Sequence, residues 1–524
     1  MAIVMQIPMF DKKEVYENRI NRSSCVTVIK DVQKVDLDAY EQFLIQSGYE
    51  KVETRSMAVY YFAAYRKDEQ GVFLNYYTVL QEMTVVTEEG TRYFDFSDTA
   101  ANASTVPQIT QVHLEDFGMS YVIRLSDGRF IVIDGGREFE PDARRLYDVL
   151  KRGTPCGKPT VAAWIMTHPH SDHFHCFIPF MDLFADDVVV EKYMLTFPER
   201  DDEEHYPALM KDDVRFENDI SAYANIPKMF ERMEKSGAPV YAPHTGQIYV
   251  IGDAVCEILG SIDDTIHRSK NVNATSLVIR MTLGGQVILW GADACFSELR
   301  LTDKYREHLK ADILQIPHHG FQSGNAEAEI EGYRVIAPRV CLLPVADYNA
   351  YICICTYREG TRYLMRDAGV EEMITGDVER TLDLPYIPPK SAKAELERKY
   401  LSGRASCGAT CWIFSDLEAS VPEDFCYSIL NTTNTKATVW IELFFEDTAK
   451  NVRFIKTEVA ARSLKRLSVI GEDVDGDAFY FKWMSLKERG VPEEGTFAMR
   501  FLCDTPIVVS HKTHACIYKS SYHD

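Results

Sequence analysis

The stretch VAAWIMTHPHSDHF, residues 161–174, decides how the fold of this chain is interpreted. Its first six residues are an apolar run typical of a buried strand, and the polar residues after them predict a loop. That loop contains three histidines and one aspartate, and imidazole and carboxylate groups are ligands of catalytic zinc. Alternate side chains of an extended loop point the same way, so we expect His168 and His170 to bind one ion. Asp172 and His173 then face a second ion.

Three further segments end a predicted strand or hairpin with acidic or histidine residues. They are YVIRLSDGRFIVIDGG at residues 121–136, TSLVIRMTLGGQVILWGAD at 275–293 and ADILQIPHHG at 311–320. The first ends in Asp134 and two glycines, and the second ends in Asp293. The third ends in His318, His319 and a glycine. All four segments therefore place candidate metal-binding chemistry just after a strand.

In this order and spacing, the four segments resemble the metallo-β-lactamase superfamily. The resemblance implies an α/β fold, the αββα metallo-β-lactamase sandwich, with two metal ions. It implies that Asp134 holds the metal-binding side chains in place, that Asp293 bridges both ions, and that His319 is the last ligand. His318 then lines the pocket and donates to the developing oxyanion. Asp172, Asp134 and His318 are the candidate catalytic residues.

One departure from the family pattern concerns the first metal ion. Many members carry another histidine in a Pro-Gly-His turn, and the strand AVCEILGS, residues 254–261, is not followed by such a turn. Asp263, Asp264, His267 or a water molecule are the alternatives that we expect to complete the site.

The lactamase-like domain of bacterial DNA-uptake channel proteins has the same gap, and this chain resembles that branch. The corresponding residues are Asn271, Asn273, Ser276, Asp293 and Pro317–Gly320. Members of the branch are thought to cleave phosphodiesters, so the resemblance implies the same reaction here.

The expected cofactors are two divalent metal ions, with zinc as the first choice and manganese or iron as alternatives. Two such ions lower the pKa of a bridging water, and the hydroxide attacks phosphorus or an acyl carbon. The sequence thus predicts a metal-dependent hydrolase, with a small phosphodiester as the favoured substrate. The first alternative is a lactone or other acyl-bond hydrolase of the same fold. The second is a non-catalytic sensor or assembly protein, which measurement of metal content would distinguish.

Composition limits the partners and the location. The formal net charge is −22, which disfavours nucleic acid, because binding to phosphates depends on lysine and arginine. A small-molecule substrate is therefore expected. No apolar run reaches the roughly eighteen residues of a membrane-spanning helix. The 13 cysteines are scattered and odd in number, which indicates free thiols and a cytoplasmic location.

Three domains are predicted along the chain. Residues 1–107 form a small N-terminal α+β unit, residues 108–389 form the hydrolase domain, and residues 405–524 form an antiparallel β-sandwich. The last segment resembles the sensory-rhodopsin transducer family in stretches such as ILNTTNTKATVWIELFFED and in the run from Asp504 to Val509. That resemblance implies a binding or assembly module, through which the chain forms a homo-oligomer.

Overall fold

The computed structural model describes most of the chain in thirteen stretches. They are residues 15–19, 23–98, 102–115, 118–197, 220–264, 272–294, 296–321, 324–345, 359–396, 409–418, 426–445, 455–468 and 496–511. The described residues up to 345, together with 359–389, form one compact unit, and those from Lys390 onward form another. The predicted N-terminal unit thus lies in the same compact unit as the predicted hydrolase domain. The exact domain limits stay a prediction.

The first sheet is antiparallel, with the strand order β1-β2-β6-β5-β4-β3. Its strands are β1 (Val15–Arg19), β2 (Ser24–Ile29), β3 (Glu50–Ser56), β4 (Tyr60–Lys67), β5 (Gln70–Tyr77) and β6 (Glu82–Glu89). Helix α1 (Lys34–Gln46) buries Leu37, Tyr40 and Leu44 in a core shared with the sheet. The Asp36 carboxylate accepts a hydrogen bond from the Gln33 backbone N–H at the start of this helix, which satisfies one of its open donors.

The second sheet has eight strands and carries the histidine-rich loop. Its strands are β7 (Gln108–Gln111), β8 (Ser120–Arg124), β9 (Phe130–Asp134), β10 (Thr160–Ile165), β11 (Val189–Val190), β12 (Tyr193–Met194), β13 (Val240–Tyr241) and β21 (Arg380–Asp383). Strands β9, β10, β12 and β13 are parallel. Apolar residues of helices α2 (Glu140–Arg152), α4 (Phe177–Phe184) and α5 (Ile220–Ser236) pack on one face of this sheet. The short helix α3 (Ser171–Phe174) lies within the loop after β10.

The third sheet has seven strands and packs against the second. Its strands are β14 (Ile248–Ile251), β15 (Ala254–Gly260), β16 (Val278–Leu283), β17 (Gln286–Trp290), β18 (Ile313–Gln315), β19 (Val340–Leu343) and β20 (Glu372–Thr375). Strands β14 to β17 are antiparallel, and β17 to β20 are parallel. One apolar core contains side chains of both sheets, among them Ile133, Ile165, Trp290 and Ile313. The accompanying helices are α6 (Phe296–Leu299), α7 (Leu301–Tyr305), α8 (Ala326–Ile336) and α9 (Glu359–Arg366).

The second compact unit contains helix α10 and six strands whose pairings are all antiparallel among the residues described. They are α10 (Ala392–Leu396), β22 (Ala409–Glu418), β23 (Cys426–Asn431), β24 (Ala437–Phe445), β25 (Ile455–Val459), β26 (Ser463–Ser468) and β27 (Thr496–His511). The long strand β27 pairs with β22, β24 and β23, and Val439, Ile441 and Phe501 lie in the core of the unit. The sandwich arrangement and the homo-oligomer stay predictions.

Two features bear on the compositional expectations. Within the described ranges, no helix is both long enough and apolar enough to cross a membrane. Six cysteines in these ranges carry free thiols: Cys25, Cys156, Cys176, Cys256, Cys341 and Cys503. Free thiols were expected, and the cytoplasmic location stays a prediction.

Candidate metal centre

The predicted site residues meet because four strands end at one edge of the two packed sheets. Strand β9 ends at Asp134, and the parallel strand β10 leads into the histidine-rich loop. In the third sheet, β17 leads to Asp293, and the parallel strand β18 leads to the turn Pro317–Gly320. Carboxyl ends of neighbouring parallel strands lie side by side, which is where open α/β folds bind ligands.

Six of the predicted residues form two clusters that could each hold a metal ion. One cluster contains His168, His170 and Asp293, and the other contains Asp172, His173 and His319; within each, the ligand atoms lie within 4.8 Å of one another. In the second cluster, His319 Nε2 lies 3.2 Å from Asp172 Oδ2. The structure therefore brings these six side chains together, and their roles as metal ligands stay a prediction.

Asp293 connects the two clusters. Its Oδ2 atom lies 3.8 Å from His168 Nε2, 3.2 Å from His173 Nε2 and 3.5 Å from His319 Nε2. One carboxylate oxygen thus faces histidines of both clusters, as a carboxylate shared by two cations would.

The geometry and the donor set fit divalent ions. Nitrogens bound to one tetrahedral zinc at about 2.0–2.1 Å lie roughly 3.3 Å apart, and His168 Nε2 lies 3.0 Å from His170 Nδ1. Among the described residues, neither Asp293 Oδ1 nor His173 Nε2 has a hydrogen-bond partner, although both atoms are buried. Buried polar atoms are otherwise paired, so these two atoms suit a bound cation.

Asp134 orients His173 directly and His168 through Thr167. Its Oδ1 accepts a hydrogen bond of 2.8 Å from the Thr167 N–H, and its Oδ2 accepts from the Thr167 hydroxyl at 2.8 Å and from His173 Nδ1 at 2.7 Å. Since the Thr167 hydroxyl donates to Asp134, its oxygen can accept from His168 Nδ1, 3.1 Å away. Both histidines then carry their proton on Nδ1, which leaves each Nε2 as a ligand atom.

Four residues at this edge hold left-handed backbone conformations that side chains rarely adopt. They are Asp134 (φ 56°), Ala292 (φ 48°), His318 (φ 49°) and His319 (φ 53°). Hydrogen bonds hold them in place, since His318 N–H donates to Ala292 O and Ala292 N–H donates to Gln315 Oε1. Strain of this kind costs about 1–3 kcal/mol per residue and is concentrated at functional sites.

Charge interactions keep the carboxylates ionised and shift the histidines in opposite directions. Burial raises the pKa of Asp293, but His173 and His319 outweigh burial and lower this pKa well below its usual range. Burial would lower the pKa of His173, yet Asp293 and Asp134 raise it well above normal. The pKa of His168 is lowered, first by burial and then by His173. The site therefore offers anionic oxygens, and a divalent ion bound to His173 would displace the proton that the raised pKa of this imidazole retains.

His318 lies beside these clusters and belongs to neither. Its Nε2 atom lies 3.2 Å from the amide Nδ2 of Asn273. Nearby, the Asp293 N–H donates to the Ser276 hydroxyl oxygen at 3.3 Å. Two residues of the stretch 271–276 thus contact the predicted site, while Asn271 itself lies outside the described residues.

The alternatives for completing the first site have other partners where they are described. Asp263 accepts hydrogen bonds from His244 Nδ1 and Thr245 N–H, at 3.0 Å each. Asp264 pairs with Lys304 at 2.6 Å, and neither carboxylate belongs to a cluster. His267 lies outside the described residues.

Several residues that form hydrogen bonds to the site, but are not candidate metal ligands, were not predicted from the sequence. Thr167 is the first polar residue after the apolar run 161–166, and the sequence did not predict that it joins Asp134 to His168. Trp164 looked like a core residue, yet its indole N–H donates to Asp134 O at 3.0 Å. Gln315 interrupts the apolar stretch ILQIP, and a buried glutamine in such a run is a signal that could have indicated its contact with Ala292.

Comparison with known families agrees with this geometry. Residues 114–290 match the family model described as the metallo-β-lactamase superfamily. The chain contains a metallo-β-lactamase superfamily domain. Members are usually hydrolases that bind divalent metals. No curated protein matches the sequence of the chain.

Solved structures also resemble parts of the chain. The metallo-β-lactamase fold protein YhfI from Bacillus subtilis is 13% identical over 53% of this chain and 100% of its own, with a TM-score of 0.33. Igni18, a metallo hydrolase from the archaeon Ignicoccus hospitalis, is 12% identical over 53% of this chain and 99% of its own, with a TM-score of 0.30. The Anabaena sensory rhodopsin transducer is 22% identical over 21% of this chain and 86% of its own, with a TM-score of 0.16. Since these scores are below 0.5, the assignment of the metallo-β-lactamase domain rests on the family match.

Proposed function

We propose that the metallo-β-lactamase domain hydrolyses a small phosphodiester with the help of two divalent metal ions, zinc being the first choice. The observation that carries this proposal is the position of Asp293, whose Oδ2 atom faces His168 of one cluster and His173 and His319 of the other. A carboxylate between two ligand groups offsets the repulsion between two cations.

The residues divide naturally between the two ions. His168, His170 and Asp293 would hold the first ion, and Asp172, His173 and His319 would hold the second, with Asp293 shared. When bound, such ions would supply Lewis acidity and would lower the pKa of a water molecule.

The protein itself contributes orientation. Asp134 and Thr167 fix the tautomers of His173 and His168, so that ligand atoms need not rearrange when substrate binds. The Asn273 amide donates to His318 Nε2, which leaves the imidazole proton of His318 on Nδ1. We propose that this N–H donates to an anionic oxygen of the substrate.

The choice of a small phosphodiester is supported by two features of the sequence. The turn Pro317–Gly320 and the residues Asn273 and Ser276 resemble a phosphodiester-cleaving branch of the superfamily. The net charge of −22 disfavours long polyanions, whose binding needs many lysine and arginine contacts.

The test compares substrates on the full chain supplied with zinc or manganese. We expect hydrolysis of bis(p-nitrophenyl) phosphate, little hydrolysis of a lactone panel, and poor cutting of single-stranded and duplex DNA. His170→Ala should lose most of the bound metal and nearly all of the rate. His308→Ala removes a histidine outside both clusters and serves as the matched control, which should keep metal and rate.

Other outcomes would replace this proposal. Rapid, salt-sensitive DNA degradation that is lost in His168→Ala would identify a nuclease. Activity confined to lactones would identify an acyl-bond hydrolase. A protein without stoichiometric metal would favour the non-catalytic alternative.

A further inference from the structure

A cavity of about 200 Å³ lies where the first sheet meets the metallo-β-lactamase domain. One side is formed by Ser23, by Glu88 near the end of β6, and by residues 90–93 after this strand. The other sides are formed by residues 195–197 after β12, residues 240–242 around β13, Tyr249 of β14 and Phe230 of α5. None of these residues belongs to either metal-binding cluster, so the cavity is separate from the proposed active site.

Aromatic rings form much of the lining of this cavity. They are Tyr93, Phe197, Phe230, Tyr241 and Tyr249. The Tyr93 hydroxyl donates to Glu53 at 2.6 Å and the Tyr249 hydroxyl donates to Gln247 at 2.6 Å, so both phenols are held in place. These two rings pack edge to face, with centroids 5.4 Å apart. Fixed aromatic rings of this kind favour a planar aromatic ligand, which packs against them by stacking or by its edge.

Glu88 is the acidic residue among those that line the cavity. The Glu88 side chain is only 10% exposed, and its Oε2 atom lies 3.6 Å from Nε2 of the buried His244. Although burial alone would lower it, the pKa of His244 is raised to about 10 by Asp263 and Glu88, so the ring is positively charged at neutral pH. A carboxylate accepts hydrogen bonds, so the Glu88 side chain suits a ligand that offers donors.

We propose that this cavity binds a planar heteroaromatic ring that offers two adjacent N–H donors to the Glu88 carboxylate. A guanine base is the commonest natural ring with such an edge, whereas adenine places an acceptor beside its amino group. Arg92 also lines the cavity and is exposed, so it is placed to pair with a phosphate if the base belongs to a nucleotide. This binding does not depend on the hydrolase activity proposed above, because it uses none of the metal-binding residues.

The experiment is titration calorimetry of the full chain with guanosine, a nucleoside without phosphate, after treatment with a chelator. We expect saturable one-site binding of guanosine and at least tenfold weaker binding of adenosine. Glu88→Gln exchanges one acceptor oxygen for a donor and should weaken guanosine binding at least tenfold. Glu89→Gln changes the exposed neighbour on the same strand and should leave the affinity within twofold.

A second variant keeps the test decisive if Glu88→Gln disturbs the fold. Ala242→Trp fills the cavity without changing Glu88, and it should abolish guanosine binding while the circular dichroism spectrum is retained. Three results would overturn the proposal: no saturable binding of guanosine, equal binding of adenosine, or loss of binding in His170→Ala, which would place the ligand at the metal centre.

Discussion

The carboxylate of Asp293 and the imidazole of His319 face each other across 3.5 Å, and each also contacts another predicted ligand. His319 lies against Asp172, while Asp293 lies against His173. By contrast, the adjacent His318 contacts the Asn273 amide and belongs to neither cluster. The two neighbouring histidines of this turn therefore have different contacts. Both adopt a left-handed backbone conformation.

The two histidines should respond differently to substitution. We expect His319→Ala to lose about half of the bound metal, because one cluster loses a ligand and the other keeps its histidine pair. His318→Ala should keep the full metal content and lower the rate of phosphodiester hydrolysis by about 10²-fold, as expected when one donor to a developing charge is removed. Plasma mass spectrometry and steady-state kinetics on the same preparations measure both effects. Metal loss in His318→Ala with full metal in His319→Ala would show that the two roles are exchanged.

At the level of elements, local patterns predicted the hairpins and strands that carry the site. The stretch 121–136 forms β8 and β9 with a turn at Gly128, and β16 and β17 turn at Gly284 and Gly285, both with positive φ. Alternating or continuous apolar residues specify such strands without distant partners. The two-residue strands β12 and β13 could not be predicted, since they are defined by pairing with β10 and with each other.

The site residues were predictable because each follows a strand, but the contacts that hold them are not local. Thr167 meets Asp134, 33 positions away in the sequence, and the Gln315 amide meets Ala292, 23 positions away. The spacing of residues along the sequence does not predict these contacts. They arise only when parallel strands place their carboxyl ends side by side.

The close approach of Gly118 to the backbone of Asp172 should affect metal binding by the second cluster. A Cβ atom added at Gly118 would lie 2.8 Å from the Asp172 backbone oxygen and 3.2 Å from Gly136 Cα. These are backbone neighbours that cannot rotate away, so Gly118→Ala should displace the loop that carries Asp172 and His173. We expect weaker metal binding at one of two sites and a lower thermal midpoint. The control is Gly376→Ala, whose added Cβ would lie 3.4 Å or more from its neighbours. An unchanged metal affinity in Gly118→Ala would show that the loop tolerates the shift.

At the scale of the whole molecule, the first sheet is joined to the metallo-β-lactamase domain by buried polar contacts. The Asn75 amide donates to Thr245 O at 2.9 Å, and Arg55 pairs with Glu257 at 3.0 Å. A Cβ atom at Gly246 would lie 2.3 Å from the Phe62 ring, which shows how closely the two parts approach. The sequence indicated a separate N-terminal unit because these partners are 170 or more positions apart. Composition and local sequence patterns do not predict contacts between residues so far apart in the sequence.

The buried ion cluster at this junction should make the stability of the first compact unit depend on pH. His244 lies between Asp263, 3.0 Å from its Nδ1, and Glu88, 3.6 Å from its Nε2, and these carboxylates raise its pKa from 6.5 to about 10 despite burial. The folded protein therefore binds a proton that the unfolded chain releases above pH 6.5, so this contribution is complete below pH 6.5 and is lost as the pH rises towards 10. The thermal midpoint should fall over this range more steeply in the wild type than in His244→Gln, which cannot bind the proton. His308→Gln, which leaves His244 and both carboxylates in place, should keep the wild-type slope. Parallel curves for wild type and His244→Gln would mean that His244 is neutral in the folded protein.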